Sequence, residues 1–332
     1  MLRLIPSTLL PLVSAALPVM TLGAQPEGAL TYHVQFDRTM DSSMSLGELA
    51  IDTVARTLYG VGTKVIDIDR GIVVGSISSE LGHGYAFADA LGRAITRRGA
   101  IFDLRTRAVL RAGRDRSASA VSYDASTQRA AMNFDSLVVL DVQTAQPVGA
   151  VWVGASKYVV SDHQGHFLVG LASDSLSVVD AKRLTITQRW SLSPCHHLAS
   201  MTLDVAQRRL FASCENSQLV VVDYRTGKIV TSVLVAKADQ LAFDAGTGLL
   251  FVPTNHDTLA IVMQSGHRKY SVASKLVAGP IVSAVAVDPK THIVYVEHFG
   301  ERVSDESYGI ALVALTQEGT PGGTKVHPAP RR

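Results

Sequence analysis

The chain has 332 residues, of which 47% are hydrophobic and 18% are charged, and its formal net charge at pH 7 is +2. This much apolar sequence can form a large hydrophobic core, and the length alone would suit two domains. The nearly balanced charge argues against a protein that binds nucleic acid through a strongly basic surface.

Residues 1–24 have the composition of an export signal. A short basic start with Arg3 is followed by an apolar run that ends at the small residues Gly23 and Ala24. Prolines interrupt this run, which is also short for a transmembrane helix. We therefore predict a signal peptide over 1–24 and a mature chain that is periplasmic or secreted, with no transmembrane segment.

From residue 46 onward, a unit of about forty residues recurs along the chain. Each unit begins with a short apolar strand that ends in an aspartate: Asp52, Asp89, Asp124, Asp162, Asp204, Asp244 and Asp288. A second aspartate ends the third strand of the first five units: Asp67, Asp103, Asp141, Asp180 and Asp223. Aspartate at such positions bonds backbone N–H groups of the following turn, so we expect turns on one face rather than catalytic acids.

The clearest unit is the fifth, for which the apolar runs predict strands over 198–203, 209–214, 218–223 and 229–235. Four antiparallel strands in about forty residues are typical of one propeller blade. The seven units therefore predict an all-β chain folded as a seven-bladed β-propeller. We assign 25–316 to this single domain, because no linker interrupts it.

The two ends of the propeller explain each other. The segment 30–36 reads as a lone strand ahead of the first blade, whereas the seventh unit ends after its third strand, 310–316. The remaining 317–332 is rich in Gly and Pro, and we expect a flexible C-terminal tail. We predict that the N-terminal strand completes the last blade and closes the ring, since an open ring would leave unpaired strand edges.

The repeat resembles a known family. Its period, the VVVDYRTGKIV stretch at 220–230 and the LLFVPTN stretch at 249–255 are similar to the YVTN-type, WD40-like seven-bladed propeller repeats of exported bacterial proteins. The similarity covers 46–316. It implies the fold, but propellers host binding, scaffolding and several chemistries, so the function has to be argued from the site.

The loops that lead into each first strand, and those that join second to third strands, share the face opposite the aspartate turns. We call it the channel face, because propellers commonly bind ligands there over the central channel. The candidate ligand-binding residues on it are His83, Lys157, His196, His197, Glu215, Asn255, His256 and His298. Imidazoles can bind metals, but no metal-binding spacing occurs, so we predict solvated loop histidines, with no metal and no cofactor.

Cys195 and Cys214 are the only cysteines. In an exported protein an even pair predicts a disulfide, with two free thiols as the alternative. Pairing 198–203 with 209–214 puts residue 214 opposite 198, close to Cys195. The bond would fix the loop that carries the neighbouring histidine pair.

Blade two is unusually rich in arginine. Its candidate basic docking edge consists of Arg97, Arg98, Arg114 and Arg116. Such an edge could bind an anionic envelope polymer, and solvated turns are the alternative. The lack of interleaved aromatic residues argues against nucleic acid. Trp152 and Trp190 fall at matching places in two fourth strands, where we expect them to pack between blades.

Two functions stay open. We favour an exported binding or scaffold module that holds a partner protein or small ligand on the channel face. The alternative is a lactonase-like or other hydrolase at the channel mouth, by analogy with other seven-bladed propellers. No nucleophile elbow, phosphate loop or HExxH motif occurs, so the motifs identify no specific reaction. A hydrolase would require several of the candidate side chains to converge on one point.

Overall fold

The computed structural model describes residues 30–41, 48–254, 256–266, 268–304 and 307–318. These residues form seven four-stranded antiparallel sheets and two short 3-10 helices, and no α-helix occurs among them. Within the same ranges, no helix is long and apolar enough to cross a membrane. The first strands of the sheets contact one another in a closed cycle, so the sheets are the blades of a seven-bladed β-propeller. The predicted fold class is confirmed.

The strands follow the predicted repeat. The N-terminal strand is β1 (Tyr32–Asp41). Blade one contains β2 (Ala50–Asp52), β3 (Thr57–Tyr59), β4 (Lys64–Asp67) and β5 (Ile72–Ser76). Blade two contains β6 (Tyr85–Ala88), β7 (Arg93–Thr96), β8 (Ile101–Asp103) and β9 (Val109–Arg111). Blade three contains β10 (Val121–Asp124), β11 (Arg129–Asn133), β12 (Leu137–Asp141) and β13 (Gln146–Val151).

The later blades have longer strands. Blade four contains β14 (Ser156–Ser161), β15 (His166–Leu171), β16 (Ser175–Asp180) and β17 (Thr185–Ser191). Blade five contains β18 (Leu198–Asp204), β19 (Arg209–Cys214), β20 (Gln218–Asp223) and β21 (Lys228–Leu234). Blade six contains β22 (Ala242–Asp244), β23 (Leu249–Pro253), β24 (Thr258–Gly266) and β25 (Lys269–Val277). Blade seven contains β26 (Ala284–Val287), β27 (Val294–Ser304) and β28 (Ser307–Gln317), completed by β1.

Burial explains this layering. The middle strands are covered on both faces by neighbouring blades, so β19 and β20 are apolar almost throughout and almost wholly buried. The outer β21 has a polar face and is mostly half-buried or exposed. The hydrophobic clusters accordingly lie between blades, as where Leu168 and Leu176 of blade four pack with Leu210 of blade five.

The ring closes as predicted. β1 runs antiparallel to β28, with Tyr32 opposite Gln317. The backbone N–H of Glu318 donates to the carbonyl oxygen of Thr31 at 2.9 Å, which extends the ladder by one more bond. The predicted signal peptide, 1–24, lies outside the described residues, as does the predicted tail beyond Glu318.

The aspartate turns lie together on the opposite face, which we call the turn face. Asp52 accepts the backbone N–H groups of Val54 and Ala55 at 2.9 Å each. The third-strand aspartates do the same, since Asp223 accepts from the N–H groups of Arg225 and Thr226. The interpretation of these acids as turn residues is confirmed.

Some of these aspartates also join neighbouring blades. Asp288 of blade seven forms an ion pair with Arg56 of blade one. Asp244 of blade six lies 2.9 Å from Nδ1 of His292 in blade seven. Arg56 and His292 each follow the first-strand aspartate of their own blade by four residues, so the same position forms a latch at two blade junctions.

One packing prediction was wrong. Leu137 and Leu176 occupy the same position in the third strands of blades three and four. Leu137 lies opposite Val151, whereas Leu176 lies opposite Trp190, so Trp152 is one residue out of register with Trp190. A shift of one residue turns a strand side chain to the other face. Trp190 packs against Gly227 of the next blade, as expected, whereas Trp152 is 70% exposed at the outer rim.

Candidate functional site

The predicted candidate residues do not converge on the channel face. Glu215 is tied to the histidine pair only through its backbone N–H, which donates to the carbonyl oxygens of His196 and His197. The imidazole of His196 lies 4.0 Å from Asp174, while His256 is exposed and Lys157 is half-buried on β14. Asn255 lies outside the described residues. No three His, Cys, Asp or Glu side chains of the described chain meet as metal ligands.

The disulfide is confirmed. Cys195 and Cys214 are bonded and buried, and Leu198 lies opposite Cys214 as the register predicted. The loop before β18 is held further by Asn216, whose amide donates to the carbonyl oxygen of Pro194 at 2.8 Å. This loop is therefore a fixed support that presents an exposed pair of histidines to solvent.

His298 has a structural contact rather than a free imidazole. Its ring is buried, with Nδ1 2.7 Å from the carbonyl oxygen of Phe299 and Nε2 2.9 Å from the carboxylate of Asp37. Burial would lower the pKa of His298, but the hydrogen bond and charge of Asp37 and the Phe299 carbonyl together raise it. Asp37 lies on β1, so His298 ties the closing strand to β27.

His83 is poised to stay neutral. It is half-buried beside Arg97 and Arg98, and its pKa is lowered by burial and by both guanidinium charges. Its buried Nδ1 has no hydrogen-bond partner among the described residues. A neutral imidazole here can accept a hydrogen bond but adds no positive charge to the channel face.

At the channel mouth, Arg97 meets four polar residues that the sequence did not identify. We call this set the mouth cluster: Glu48, Arg97, Tyr158, Asp239 and Gln240. Glu48 precedes β2 of blade one, Arg97 follows β7 of blade two, and Tyr158 lies on β14 of blade four. The other two belong to the loop that leads into blade six. Four blades therefore contribute residues to the mouth cluster.

Gln240 joins three blades at this mouth. Its side-chain oxygen accepts the N–H groups of Leu49 and Val285 at 3.0 and 3.3 Å, and its amide donates to the carbonyl oxygen of Leu49 at 2.8 Å. Leu49 belongs to blade one and Val285 to blade seven. This side chain therefore fixes the starts of neighbouring first strands relative to each other.

Glu48 and Arg97 form the charged part of the cluster. Their side chains approach to 3.8 Å, and Arg97 also donates to the carbonyl oxygen of Ser119 at 3.1 Å. Burial raises the pKa of Glu48, although the charge of Arg97 partly offsets the effect. Burial also raises the pKa of Tyr158, as do the charges of Glu48 and Asp239. The cluster thus holds a carboxyl group that takes up a proton more readily than usual, beside a cation.

The four arginines of the basic docking edge lie on the channel face, but most are engaged. Arg97 faces Glu48, Arg98 donates to the carbonyl oxygen of Glu80 at 3.1 Å, and Arg116 forms an ion pair with Asp135. Arg114 lies over the ring of Phe134, 4.9 Å from its centroid. A basic surface for an anionic polymer stays a prediction.

Large apolar side chains mark the rim of the same face. Trp152, Leu234 and Val277 are 70%, 74% and 59% exposed. All three occupy the last position of a fourth strand or the residue after it, and they recur in blades three, five and six. We call them the apolar rim.

No family model matches this chain, and no curated protein is significantly similar to it. The seven-bladed fold is shown by the structure, whereas membership of the YVTN-type repeat family stays a prediction. Any function has to come from the surfaces described above.

Proposed function

We propose that the chain is an exported binding module that docks a partner protein on its channel face. The observation that carries this proposal is the apolar rim, because exposed apolar side chains that recur on one face and are bordered by polar loops are typical of an interaction site. Exposed aromatic anchors surrounded by polar loops are typical of protein interfaces.

The rest of the channel face supports a binding role. Its predicted polar residues are spread over several blades, and Arg97, Arg98, Arg116 and His298 are each engaged within the chain. The disulfide-held loop of blade five adds a rigid polar patch near the rim. A rigid surface costs little conformational entropy when it binds, so such a face favours docking.

Export is supported by two features. Disulfides persist in oxidising compartments, and Cys195 and Cys214 are bonded. The start of the sequence also has the composition of a signal peptide. We propose a periplasmic or secreted location on these grounds, in keeping with the resemblance to exported YVTN-type propellers.

The test uses site-specific photocrosslinking in cells that express the full chain. We expect a photoreactive residue at position 152 or 234 to capture the same discrete partner. Val54 is 67% exposed on the turn face and is the matched control position, which should capture nothing discrete. Equal capture at all three positions, or none at any, would contradict the proposal.

A hydrolase is the second candidate, and one observation favours it. The mouth cluster contains a carboxyl with a raised pKa, Glu48, beside a guanidinium and a tyrosine hydroxyl, which is a combination suited to general acid and base chemistry. A panel of lactone and ester substrates would test this candidate. Turnover that is lost in Glu48→Gln would establish it, and turnover that persists would exclude the mouth cluster.

An anionic envelope polymer is a further candidate partner for the basic docking edge. Arg114 and Arg116 are exposed, so they would contribute most to such binding. If the polymer binds there, changing both to Ser should weaken binding more than changing Arg97 and Arg98, which are half-buried.

A further inference from the structure

A cleft opens on the turn face between blades four and five. It has a volume of about 230 Å³ and is lined by charged and polar side chains that include Asp162, His166, Thr187, Arg208, Tyr224 and Arg225. The volume is below the range of roughly 300 to 1,000 Å³ that drug-sized ligands need. The cleft therefore suits a smaller molecule.

The latch seen at two other blade junctions does not form here, and Arg208 is therefore left without that partner. Arg208 follows Asp204 by four residues, which is the place from which Arg56 and His292 reach the aspartate of the preceding blade. In blade four, however, the aspartate Asp162 is already occupied. It accepts the Nδ1 of His166 from its own blade at 2.9 Å and the N–H groups of Gln164 and His166.

The two arginines of the cleft have no competing partner in the described part of the chain. Neither Arg208 nor Arg225 forms a side-chain hydrogen bond or ion pair there, and both are exposed. Some other arginines on this face are anchored, such as Arg129, which donates to the carbonyl oxygens of Ala181 and Lys182. Planar guanidinium groups bind carboxylate and phosphate oxygens in pairs, so two of them beside one cleft form an oxyanion-binding surface.

The acidic groups near the cleft already have partners within the chain. Asp162 faces His166, Asp223 lies 3.3 Å from Arg209, and Asp204 accepts the N–H of Gln207. Burial, followed by the charge of Asp162, raises the pKa of Tyr224 to about 12. Its hydroxyl therefore stays protonated at neutral pH, and it donates to the carbonyl oxygen of Val205 at 3.5 Å.

The neighbouring cleft between blades five and six lacks these cations. It is smaller, about 140 Å³, and Gly248 lines it at the place that corresponds to Arg208. This equivalence follows from the strand register, since Arg209 pairs with Asp223 in blade five as Leu249 pairs with Met263 in blade six. The same register aligns Arg225 with Ser265. The cationic lining therefore distinguishes this cleft from its neighbour.

We propose that the cleft between blades four and five binds a small molecule through a phosphate or carboxylate group held by Arg208 and Arg225. His166 is engaged by Asp162 through its Nδ1, so the two guanidinium groups supply the donors. The site lies on the face opposite the apolar rim, so it does not depend on the proposed partner protein.

The test measures binding of inorganic phosphate and of succinate to the full chain by isothermal titration calorimetry at constant ionic strength. Arg208 has a φ of +57°, a backbone conformation that glycine adopts freely, so Arg208→Gly should fold and also copies blade six. We expect Arg208→Gly to weaken binding about tenfold or more and Arg208→Gly with Arg225→Ser to abolish it. The preferred anion tells a phosphate ligand from a carboxylate ligand.

The matched control is Arg105→Ser. Arg105 has the same turn position in blade two that Arg225 has in blade five, since Arg93 pairs with Asp103 as Arg209 pairs with Asp223. The control should bind the anion within about twofold of the unchanged protein, because loss of one distant charge is largely screened by salt. The proposal is overturned if neither anion binds, if the control weakens binding equally, or if the double variant still binds.

Discussion

The two faces of the propeller are built in opposite ways. On the turn face one solution recurs, in which an aspartate at the end of a strand accepts the N–H groups of the next turn, as Asp52 and Asp223 do. On the channel face the mouth cluster draws single, unlike residues from four blades. The comparison teaches that repetition stabilises the ring, whereas departures from the repeat supply the surfaces that can bind.

The largest effect is expected on the turn face, at Asp124. This residue is fully buried and accepts bonds from Ser126, Thr127, Ser161 and Gly165, the last two from the next blade. Asp124→Ala would leave those donors without a partner, so we expect a loss of roughly 3 kcal/mol in the free energy of unfolding. Urea denaturation measures it.

Asp135 is the matched control for that change. It is an exposed aspartate on the channel face, 83% exposed at its side chain and paired with Arg116. An exposed ion pair contributes little, so Asp135→Ala should change the free energy of unfolding by less than about 1 kcal/mol. Equal losses in both variants would contradict the contrast between the faces.

The pH dependence of the Asp124 effect sharpens the test. Burial would raise the pKa of Asp124, but its hydrogen bonds to Ser126, Thr127, Gly165 and Ser161 outweigh burial and lower it. The stabilisation is therefore present above the unfolded pKa of about 3.9 and is lost as the pH falls through the folded value. The difference in stability between the unchanged protein and Asp124→Asn should shrink below about pH 4.

The disulfide gives the channel face its own strong tie. Cys195 and Cys214 are separated by 19 residues, and closing a loop of that size stabilises a protein by about 3 kcal/mol. Changing both cysteines to Ala should lower the urea midpoint accordingly. A reducing agent should lower the midpoint of the unchanged protein to a similar extent and leave that of the variant unaltered.

The smallest effect is expected at His298, with the opposite pH dependence. Its pKa is raised, so its contact with Asp37 stabilises fully below the unfolded pKa of about 6.5 and fades as the pH rises through the folded value. Asp37 is partly exposed, and we expect Asp37→Asn to cost about 1 kcal/mol at pH 6. The cost should decline above pH 6.5, and a cost that grows instead would show that the imidazole is neutral.

Much of the fold could be predicted because it repeats. Seven aspartates in register mark the first strands, and the lone strand before blade one has only one open edge to pair with. The disulfide followed from the same register, which puts residue 214 opposite Leu198. Trp152 shows the limit of this reasoning, since one residue of register separates a packed ring from an exposed one.

The mouth cluster could not be predicted, for a physical reason. Glu48, Tyr158 and Gln240 are far apart in sequence, and by strand register none of them is repeated at the same position of the other blades. They also lie in or beside loops whose path the repeat does not determine. The cleft arginines were also missed, because Arg208 is left without a partner only if Asp162 contacts a different side chain. That outcome is decided by a contact of 2.9 Å between side chains.

Blade seven also constrains how the molecule is made. It combines β1, the first described strand, with β28, the last. During synthesis from the N-terminal end, the other six blades can fold from local contacts. β1, however, stays unpaired until β28 has been synthesised. Ring closure is then the contact of highest sequence separation, which predicts a late and slow assembly step in which exposed strand edges are most prone to aggregate.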